Sequence, residues 1–571
     1  MLHVVMRKNR SSLCRHLPFL FLFGVVMVGV WLLPALLAGM PYDIPPLLAV
    51  RNFAATGMFS MTDALGRFLT PEMLLDLGVP YANDSRLSIA LFGVFARWVP
   101  FSSILGWTFL PALVLAFALV FLWLTAYKAF SPKTAWIAII LFALMPMYWR
   151  EAVWLNHYQF AFLFLFASFA VYALLREKNE WIALISSGLL FGACIASKDV
   201  FLIFLPWFIG MYAWHHRVQW KQALPKAFIY SLCAGIMYLA PYAGDIRDLG
   251  YPVNQNLARI WPGNNEIQDA FYLHLYPDPY TYFFDRERFD AAFLERMADM
   301  SPLERMQIQK IRINFDVGHP GVFEKLLTGG WLFFGSIPSY FLQETLGGAF
   351  LWLFILPGII CVWKKNRFLA ISLLGIPVFT ETVIRFVFYF ARDHLMDTGW
   401  IFALFAAVGI GWFAEEITRG RKRWITHAAS ILAIFFVSLQ LVQANRVRFA
   451  KAYARPLIAD TLALSDSLLQ LPADSVVAFP LPPIRLEQIG TIGNRSVVLF
   501  AEETVERLVA EKKLRDVFEK YGVTHAARYS DILSVTVKRA IPSLQILDIP
   551  PIGPKSPEVT PFMRYLLHQV R

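Results

Sequence analysis

Long runs without charged residues recur along this chain and constrain its fold more than any other feature. A helix needs about 20 apolar residues to cross roughly 30 Å of hydrocarbon, and such runs, or nearly such runs, continue to about residue 445. They predict about eleven crossings, at residues 17–37, 104–126, 133–149, 153–175, 182–197, 200–214, 225–243, 347–363, 368–390, 398–415 and 424–444. With 57% hydrophobic and only 16% charged residues, the chain is predicted to be an α-helical, polytopic membrane protein.

Basic residues give the chain a formal net charge of +11, and their positions decide what that charge means. If the N-terminus is cytoplasmic, the segments on that side are "MRKNRSSLCR", "KAFSPK", "REKNE", "HHRVQWKQALPK", "KKNR" and "TRGRKR". Each is rich in Lys and Arg, as the positive-inside rule requires of cytoplasmic loops. We therefore predict no nucleic-acid partner, a cytoplasmic N-terminus and an extracytoplasmic C-terminus.

The first apolar run follows Arg7, Lys8, Arg10 and Arg15, an arrangement similar to a secretory signal. A signal core is about 7 to 15 residues long, and this run is longer, so we predict a retained helix. The four cysteines all lie in or beside apolar runs. They predict neither a disulfide framework nor a zinc site.

The tail after about residue 450 has a different pattern. "ADSVVAFPLP", "RSVVLFAEE" and "THAARYSDI" are typical of short strands, and "TVERLVAEKKLRDVFEKYG" is typical of an amphipathic helix ending at Gly522. This tail is predicted to be a small water-soluble α/β domain. We place the boundary between a transmembrane domain, residues 1–448, and an extracytoplasmic domain, residues 449–571, with extracytoplasmic loops at 38–103 and 245–346.

A single carboxylate, Asp43, follows the first apolar run at its predicted outer end. The next stretch, "IPPLLAVRNFAATG", can form an amphipathic helix on the membrane surface that stops at Gly57. Its apolar face would consist of Leu47, Leu48, Val50, Phe53 and Ala54. Asp43 alone could equally be a solvated residue at a helix end.

In this order of elements the chain resembles the membrane-embedded glycosyltransferases of the C-type (GT-C) fold. Members of that superfamily carry an acidic residue after the first transmembrane helix, and then a surface helix ending in Gly. The resemblance implies that Asp43 is a general base toward the acceptor. It also implies a sugar donor linked to a polyprenyl phosphate, and a glycan, lipid or protein acceptor on the outer face.

A second part of the resemblance is "GLLFGACIASKDVFLIFLPW", a Gly-rich helix followed by a Lys and another apolar helix. Here Lys198, with Asp199 beside it, would stand at the outer interface and hold the phosphate of the donor. A snorkelling Lys between two helices is the plainer alternative. Arg51 presents a similar choice between headgroup anchoring and substrate contact.

A third part is the hairpin around "MYWREAVWLNHYQF". Members often have an acid where this chain has Asn156 and His157, and Glu151 comes earlier than expected. Asn156 and His157 are candidates for substrate binding, although an isolated His is more often a hydrogen-bonded interfacial residue. A divalent metal is left open as a cofactor, and no metal ligand set is predicted.

Near the end of a later crossing, "TETVIRFVFYFARDHLMD" places Arg385 in an apolar run and Arg392 and His394 just beyond it. An Arg in a membrane segment needs a partner, and Glu381, one turn earlier, is the local candidate. The two interpretations, an internal ion pair or phosphate binding by the two arginines with His394, stay equal at this stage.

The sequence thus predicts a membrane glycosyltransferase of the bacterial inner (plasma) membrane, in contact with membrane lipids. Two other classes stay open. A lipid or glycan transporter or flippase would use Glu381 and Arg385 as pathway charges, but no internal repeat of the kind common in transporters is evident. The second open class is an inactive scaffold of cell-envelope glycan assembly.

Overall fold

The computed structural model of the chain is a bundle of apolar helices with a small mixed domain at one end. It describes residues 15–32, 47–57, 59, 86–101, 104–153, 155–249, 321–342, 345–388, 395–419, 423–452, 464–480, 493, 495–500 and 502–547. The helices up to residue 249 are α1 Arg15–Leu32, α2 Leu47–Thr56, α3 Arg86–Phe95, α4 Ile104–Ala129, α5 Pro132–Leu144, α6 Pro146–Val153, α7 Tyr158–Leu175, α8 Glu180–Ser197, α9 Phe204–His215, α10 Trp220–Leu239 and α11 Ala243–Leu249.

The helices that follow complete the bundle. They are α12 Val322–Ser336, α13 Trp352–Lys365, α14 Arg367–Val383, α15 Leu395–Ile417 and α16 Arg423–Ala452. A π-helical turn, Ile384–Phe388, extends α14, and a 3-10 helix, Ile337–Phe341, follows α12. Helix α12 falls in the predicted extracytoplasmic loop 245–346, so part of that loop is helical.

By length and composition, eight helices of the described part of the chain can cross a membrane, or nine if α5 and α6 form one bent span. The chain is a multi-pass integral membrane protein. The predicted count of eleven is too high by this measure, because α9 and α13 are short. At 1.5 Å per residue such helices cover only about two thirds of the 30 Å hydrocarbon layer, although 3-10 turns precede both of them.

Small residues bring helices into backbone contact at two crossings. A Cβ placed on Gly192 of α8 would meet the backbone oxygen of Ala234 on α10, and one on Gly409 of α15 would meet that of Phe354 on α13. Lipid tails are as apolar as the helices, so association in a bilayer depends on such close packing rather than on the hydrophobic effect. Gly192 therefore fixes how α8 lies against α10.

The helix predicted after Asp43 is present as α2, and it ends as predicted at Gly57. The Gly57 amide donates to the Phe53 carbonyl oxygen at 2.8 Å, and its φ of 73° is of the kind that Gly adopts without strain. Ala49 and Val50 are fully buried in the same apolar cluster as Ile89 and Phe92 of α3, whereas Ala54, expected on the apolar face, is exposed.

The tail forms a parallel four-stranded sheet with the order β2-β1-β3-β4. Its elements are β1 Val476–Phe479, β2 Ser496–Leu499, α17 Glu502–Ala510, α18 Leu514–Lys520, β3 His525–Ala527, α19 Asp531–Ala540 and β4 Gln545–Leu547. The three predicted strands are confirmed, and Gly522 has the φ expected of a helix stop, 61°. The single predicted helix is wrong: it is divided into α17 and α18 where Lys512 adopts a φ of 58°. Helix α19 and strand β4 were not predicted.

Both faces of this sheet are buried, because alternate residues of a strand point to opposite sides. Val476 and Ala478 lie in the core under α17, α18 and α19. Val477 and Phe479 lie in a second cluster with residues of α2, α3, α4 and α7, including Trp107 and Phe160. The α/β domain therefore packs directly on one end of the helix bundle.

Replacing Gly192 with Leu should destabilise the bundle, because the side chain has no room against α10. Overpacking of this kind costs about 1–3 kcal/mol, and we expect a lower melting temperature in detergent, measured by size-exclusion recovery after heating. Gly235→Leu is the matched control, since an added Cβ at Gly235 meets nothing within 4 Å. Equal melting temperatures for the two variants would contradict the packing argument.

Candidate functional site

The predicted site residues occupy several elements, and the structure describes six of them. Arg51 is on α2, Asn156 and His157 form the turn between α6 and α7, Lys198 and Asp199 follow α8, and Arg385 is in the π-helical turn after α14. Asp43, Arg392 and His394 lie outside the described residues. Helix α2, which follows Asp43 in the chain, packs on the same end of the bundle as Leu155, next to Asn156.

Lys198 stands at the C-terminal end of α8. Its backbone amide donates to the Cys194 carbonyl oxygen at 2.9 Å, which ends the helix, and the negative end of the helix dipole favours a cation there. The Nζ atom is 5.6 Å from the centroid of the Tyr158 ring, within the range of a cation–π contact. The next residue, Asp199, is buried and begins the 3-10 turn that leads to α9.

Helix α3 meets the chain beside Lys198. The Ser88 hydroxyl donates to the Ser197 carbonyl oxygen at 3.4 Å. Arg86, two residues earlier on α3, is 1% exposed. Its guanidinium carbon is 4.7 Å from the centroid of the Tyr242 ring and 4.9 Å from that of the Phe59 ring. A buried cation held between aromatic rings therefore lies on the helix that contacts the Lys198 turn.

Sequence reasoning missed Arg86. The signal available was a single Arg opening an apolar helix, "RLSIALFGVF", which by itself is equally typical of a solvated helix end. Only the packing of α3 against α8 and against the end of α10 shows that Arg86 is a buried cation rather than a solvated residue at a helix end.

Hydrogen bonds fix the Asn156–His157 turn. The side-chain Nδ2 of Asn156 donates a hydrogen bond to the Glu151 carboxylate. The side-chain Oδ1 of Asn156 accepts a hydrogen bond from the Tyr158 backbone amide at 2.8 Å. Gln159 adds a bond from its side-chain amide to the Glu151 carbonyl oxygen. Asn156 is thus engaged on both sides of its amide, a geometry suited to holding the turn, and its role in substrate binding stays a prediction.

His157 is half-buried next to Tyr158, with 6.2 Å between the ring centroids. Tyr158 is therefore next to both His157 and Lys198. This arrangement brings together two predicted residues that are 41 positions apart in the chain.

Arg385 forms the predicted ion pair. Its Nε donates to Glu381 Oε2 at 2.9 Å, and the two side chains are only 3% and 6% exposed. The Tyr340 hydroxyl donates to the other carboxylate oxygen at 2.9 Å. The pair confirms the local partner that the i,i+4 spacing indicated; phosphate binding by Arg385 stays a prediction.

A further carboxylate, Asp397, is buried completely in the first turn of α15. It is close enough to Tyr148 and Cys194 to interact with them electrostatically. The Tyr148 hydroxyl donates to the neighbouring Met396 carbonyl oxygen at 2.8 Å, and Trp400 Nε1 donates to the Asp397 carbonyl oxygen at 2.9 Å. Asp397 falls between the predicted crossings 368–390 and 398–415, so its burial was not predicted.

No group of three or more His, Cys, Asp or Glu residues in the described part of the chain is arranged to hold a metal ion.

The architecture matches that of a solved enzyme. The Archaeoglobus fulgidus oligosaccharyltransferase AglB, in complex with an inhibitory peptide and a dolichol-phosphate, superposes over 88% of this chain and 69% of its own length, with a TM-score of 0.50 and 14% identity. The chain has a GT-C-type fold. The same archaeal enzyme, tethered to an acceptor peptide containing the NVT sequon, superposes with a TM-score of 0.50 and 13% identity over 88% of this chain and 68% of its own.

The Archaeoglobus fulgidus oligosaccharyltransferase in complex with zinc and sulfate superposes over 84% of this chain and 62% of its own length, with a TM-score of 0.51 and 13% identity. No protein-family model matches the sequence, and no curated protein matches it. At this level of identity the likeness establishes the GT-C-type fold alone.

Replacing Glu381 with Gln should strongly destabilise the protein, since it leaves the Arg385 charge buried without its carboxylate. Such losses cost about 3–5 kcal/mol. The control is Glu416→Gln, which removes an exposed i,i+3 pair with Arg419 and should cost less than about 1 kcal/mol. Thermal unfolding in detergent measures the loss of stability in both variants.

A double variant, Glu381→Gln with Arg385→Met, separates packing from function. If the pair only stabilises the fold, the double variant should regain most of the lost stability and retain its activity. A stable but inactive double variant would instead favour a substrate contact for Arg385.

Proposed function

We propose that this protein is a membrane glycosyltransferase that moves a sugar from a polyprenyl-phosphate-linked donor to an acceptor on the extracytoplasmic face. The observation that carries the proposal is the contact of Lys198 with Tyr158 at the end of the bundle where α2 and the α/β domain also pack. Helix α3, which carries the buried Arg86, is bonded to the chain next to Lys198. In our proposal this end of the GT-C-type fold lies at the outer membrane surface, where a cation is suited to a phosphate attached to a lipid.

The solved neighbours support a donor of this kind. One is described with a dolichol-phosphate and another with an acceptor peptide, so a protein of this fold accommodates a lipid-linked phosphate and an extended acceptor. In our proposal Lys198 contacts the phosphate as a point charge, with Arg51 and Asn156 near the sugar. Arg385, Arg392 and His394 would complete the site from the α14–α15 side.

Asp43 is the proposed general base. As the acceptor nucleophile attacks the anomeric carbon, its proton passes to the Asp43 carboxylate. The bond between the anomeric carbon and the phosphate oxygen breaks, and its electron pair leaves with the lipid phosphate. Lys198 stabilises the charge that develops on that phosphate, and His157 donates a hydrogen bond to it. Asp199 is a carboxylate, so it would accept hydrogen bonds from sugar hydroxyls rather than contact the phosphate.

The neighbours' peptide acceptor favours a second candidate, transfer of a lipid-linked oligosaccharide to a protein. The same carboxylate and cations would serve that reaction, with a larger donor. An assay with both single-sugar and oligosaccharide donors distinguishes the two.

Changing Asp43 to Asn should reduce sugar transfer by a factor of about 10² to 10⁴, the usual contribution of a general base. The assay uses purified protein in lipid nanodiscs with radiolabelled polyprenyl-phosphate and polyprenyl-diphosphate sugars. Donor binding, measured separately by filter retention, should persist. Equal transfer by the variant and the wild type would overturn the role of Asp43 and direct attention to Glu151.

No transfer with any donor, together with retained lipid binding, would instead favour the transporter or scaffold alternatives. Translocation of a fluorescent lipid-linked sugar in proteoliposomes then tests the transporter directly.

Changing Lys198 to Met should raise the KM for the donor about tenfold or more, because a charge-assisted contact to phosphate is worth about 1.5–3 kcal/mol. The matched control is Lys226→Met. Lys226 Nζ forms a salt bridge with Glu180 Oε2 at 2.5 Å, at the end of the α8–α10 pair that is opposite to Lys198. Loss of the Lys226 charge should leave the KM unchanged. An unchanged KM for the Lys198 variant would return Lys198 to the role of an interfacial anchor.

A further inference from the structure

A groove on the lipid-facing side of the bundle lies apart from the proposed active site. It has a volume of about 440 Å³ and is lined by His16, Phe19, Leu22, Phe23, Val26 and Trp136. Phe19, Leu22 and Val26 are 63%, 60% and 50% exposed, so the groove opens to the bilayer between α1 and α5. Its walls are apolar over almost their whole length.

The length of the groove matches one leaflet. From His16 to Val26 the helix rises about 15 Å at 1.5 Å per residue, which is half of the 30 Å hydrocarbon layer. His16 closes one end, with its ring 5.2 Å from the Trp123 ring and 6.4 Å from the Trp136 ring. Trp rings are enriched at the headgroup interface.

Basic residues gather at the closed end. Arg15 begins α1, Lys128 lies in the last turn of α4, and Lys133 is the second residue of α5. The α5 N-terminus also favours an anion. Among the described residues no ion pair involves these three side chains, and the sequence contains no Asp or Glu from Met1 to Tyr42 or from Arg86 to Arg150. Helices α1, α4 and α5 therefore provide positive charge and no carboxylate of their own.

An apolar groove one leaflet deep, with cations at its interfacial end, fits a lipid with an anionic headgroup. A zwitterionic lipid would fill the groove equally well but would gain less from the basic end. We propose that the α1–α5 groove binds one acyl chain of an anionic phospholipid, with its phosphate beside Arg15, Lys128 and Lys133. Basic pockets between transmembrane helices bind anionic headgroups on this principle. The proposal does not depend on the glycosyltransferase function.

The experiment is native mass spectrometry of the delipidated protein in detergent, titrated with phosphatidylglycerol or phosphatidylcholine. We expect one tightly held phosphatidylglycerol. The double variant Lys128→Gln, Lys133→Gln should weaken it roughly thirtyfold, at about 1 kcal/mol per basic residue. Lys364→Gln with Lys365→Gln, two exposed lysines in the last turn of α13, should leave its affinity unchanged.

A second variant tests the groove by shape. Val26→Trp should fill it and displace the lipid, whereas Val378→Trp on the exposed face of α14 should not. Equal affinity for the two phospholipids would overturn the proposal, as would unchanged binding by both groove variants. Displacement of phosphatidylglycerol by a low concentration of polyprenyl phosphate would also overturn it, since the groove would then belong to the carrier lipid.

Discussion

The bilayer leaves no water to bond a free backbone amide or carbonyl, and this constraint shapes the whole protein. Within the hydrocarbon only helices satisfy every backbone group, so polar side chains that can do chemistry collect where helices end. Helix α8 illustrates the point. Its first residue, Glu180, accepts bonds from Tyr212 at 3.0 Å and Lys226 at 2.5 Å, its middle packs closely on α10 at Gly192, and its last turn delivers Lys198 to the opposite end.

The α/β domain adds to this arrangement through its second buried face. The cluster that contains Val477 and Phe479 also contains Leu155 and Phe160, which lie on either side of the turn that holds Asn156 and His157. The domain therefore packs next to that turn.

Local patterns in the sequence were sufficient wherever the interacting residues are neighbours in the chain. The i,i+4 spacing of Glu381 and Arg385 indicated the partner of a possible ion pair, and a run ending in Gly identified α2. Patterns failed where a break depends on backbone conformation, as at Lys512, or where a residue gains its meaning from distant elements. Arg86 and Asp397 are of the second kind: each is a single charge beside an apolar run, and nothing in the run reveals what packs against it.

The sequence by itself determined that the chain spans a membrane several times, that a segment with strands and helices follows, and that the order of elements resembles the GT-C fold. Charge-poor runs and strand patterns are local properties, and hydrocarbon selects helices regardless of what surrounds them. The tertiary structure alone decided that Tyr158 lies next to both His157 and Lys198, that Arg86 is enclosed by aromatic rings, and that the sheet is buried on both faces. These features arise from contacts between segments up to hundreds of residues apart, and such contacts depend on how the helices and the sheet pack together.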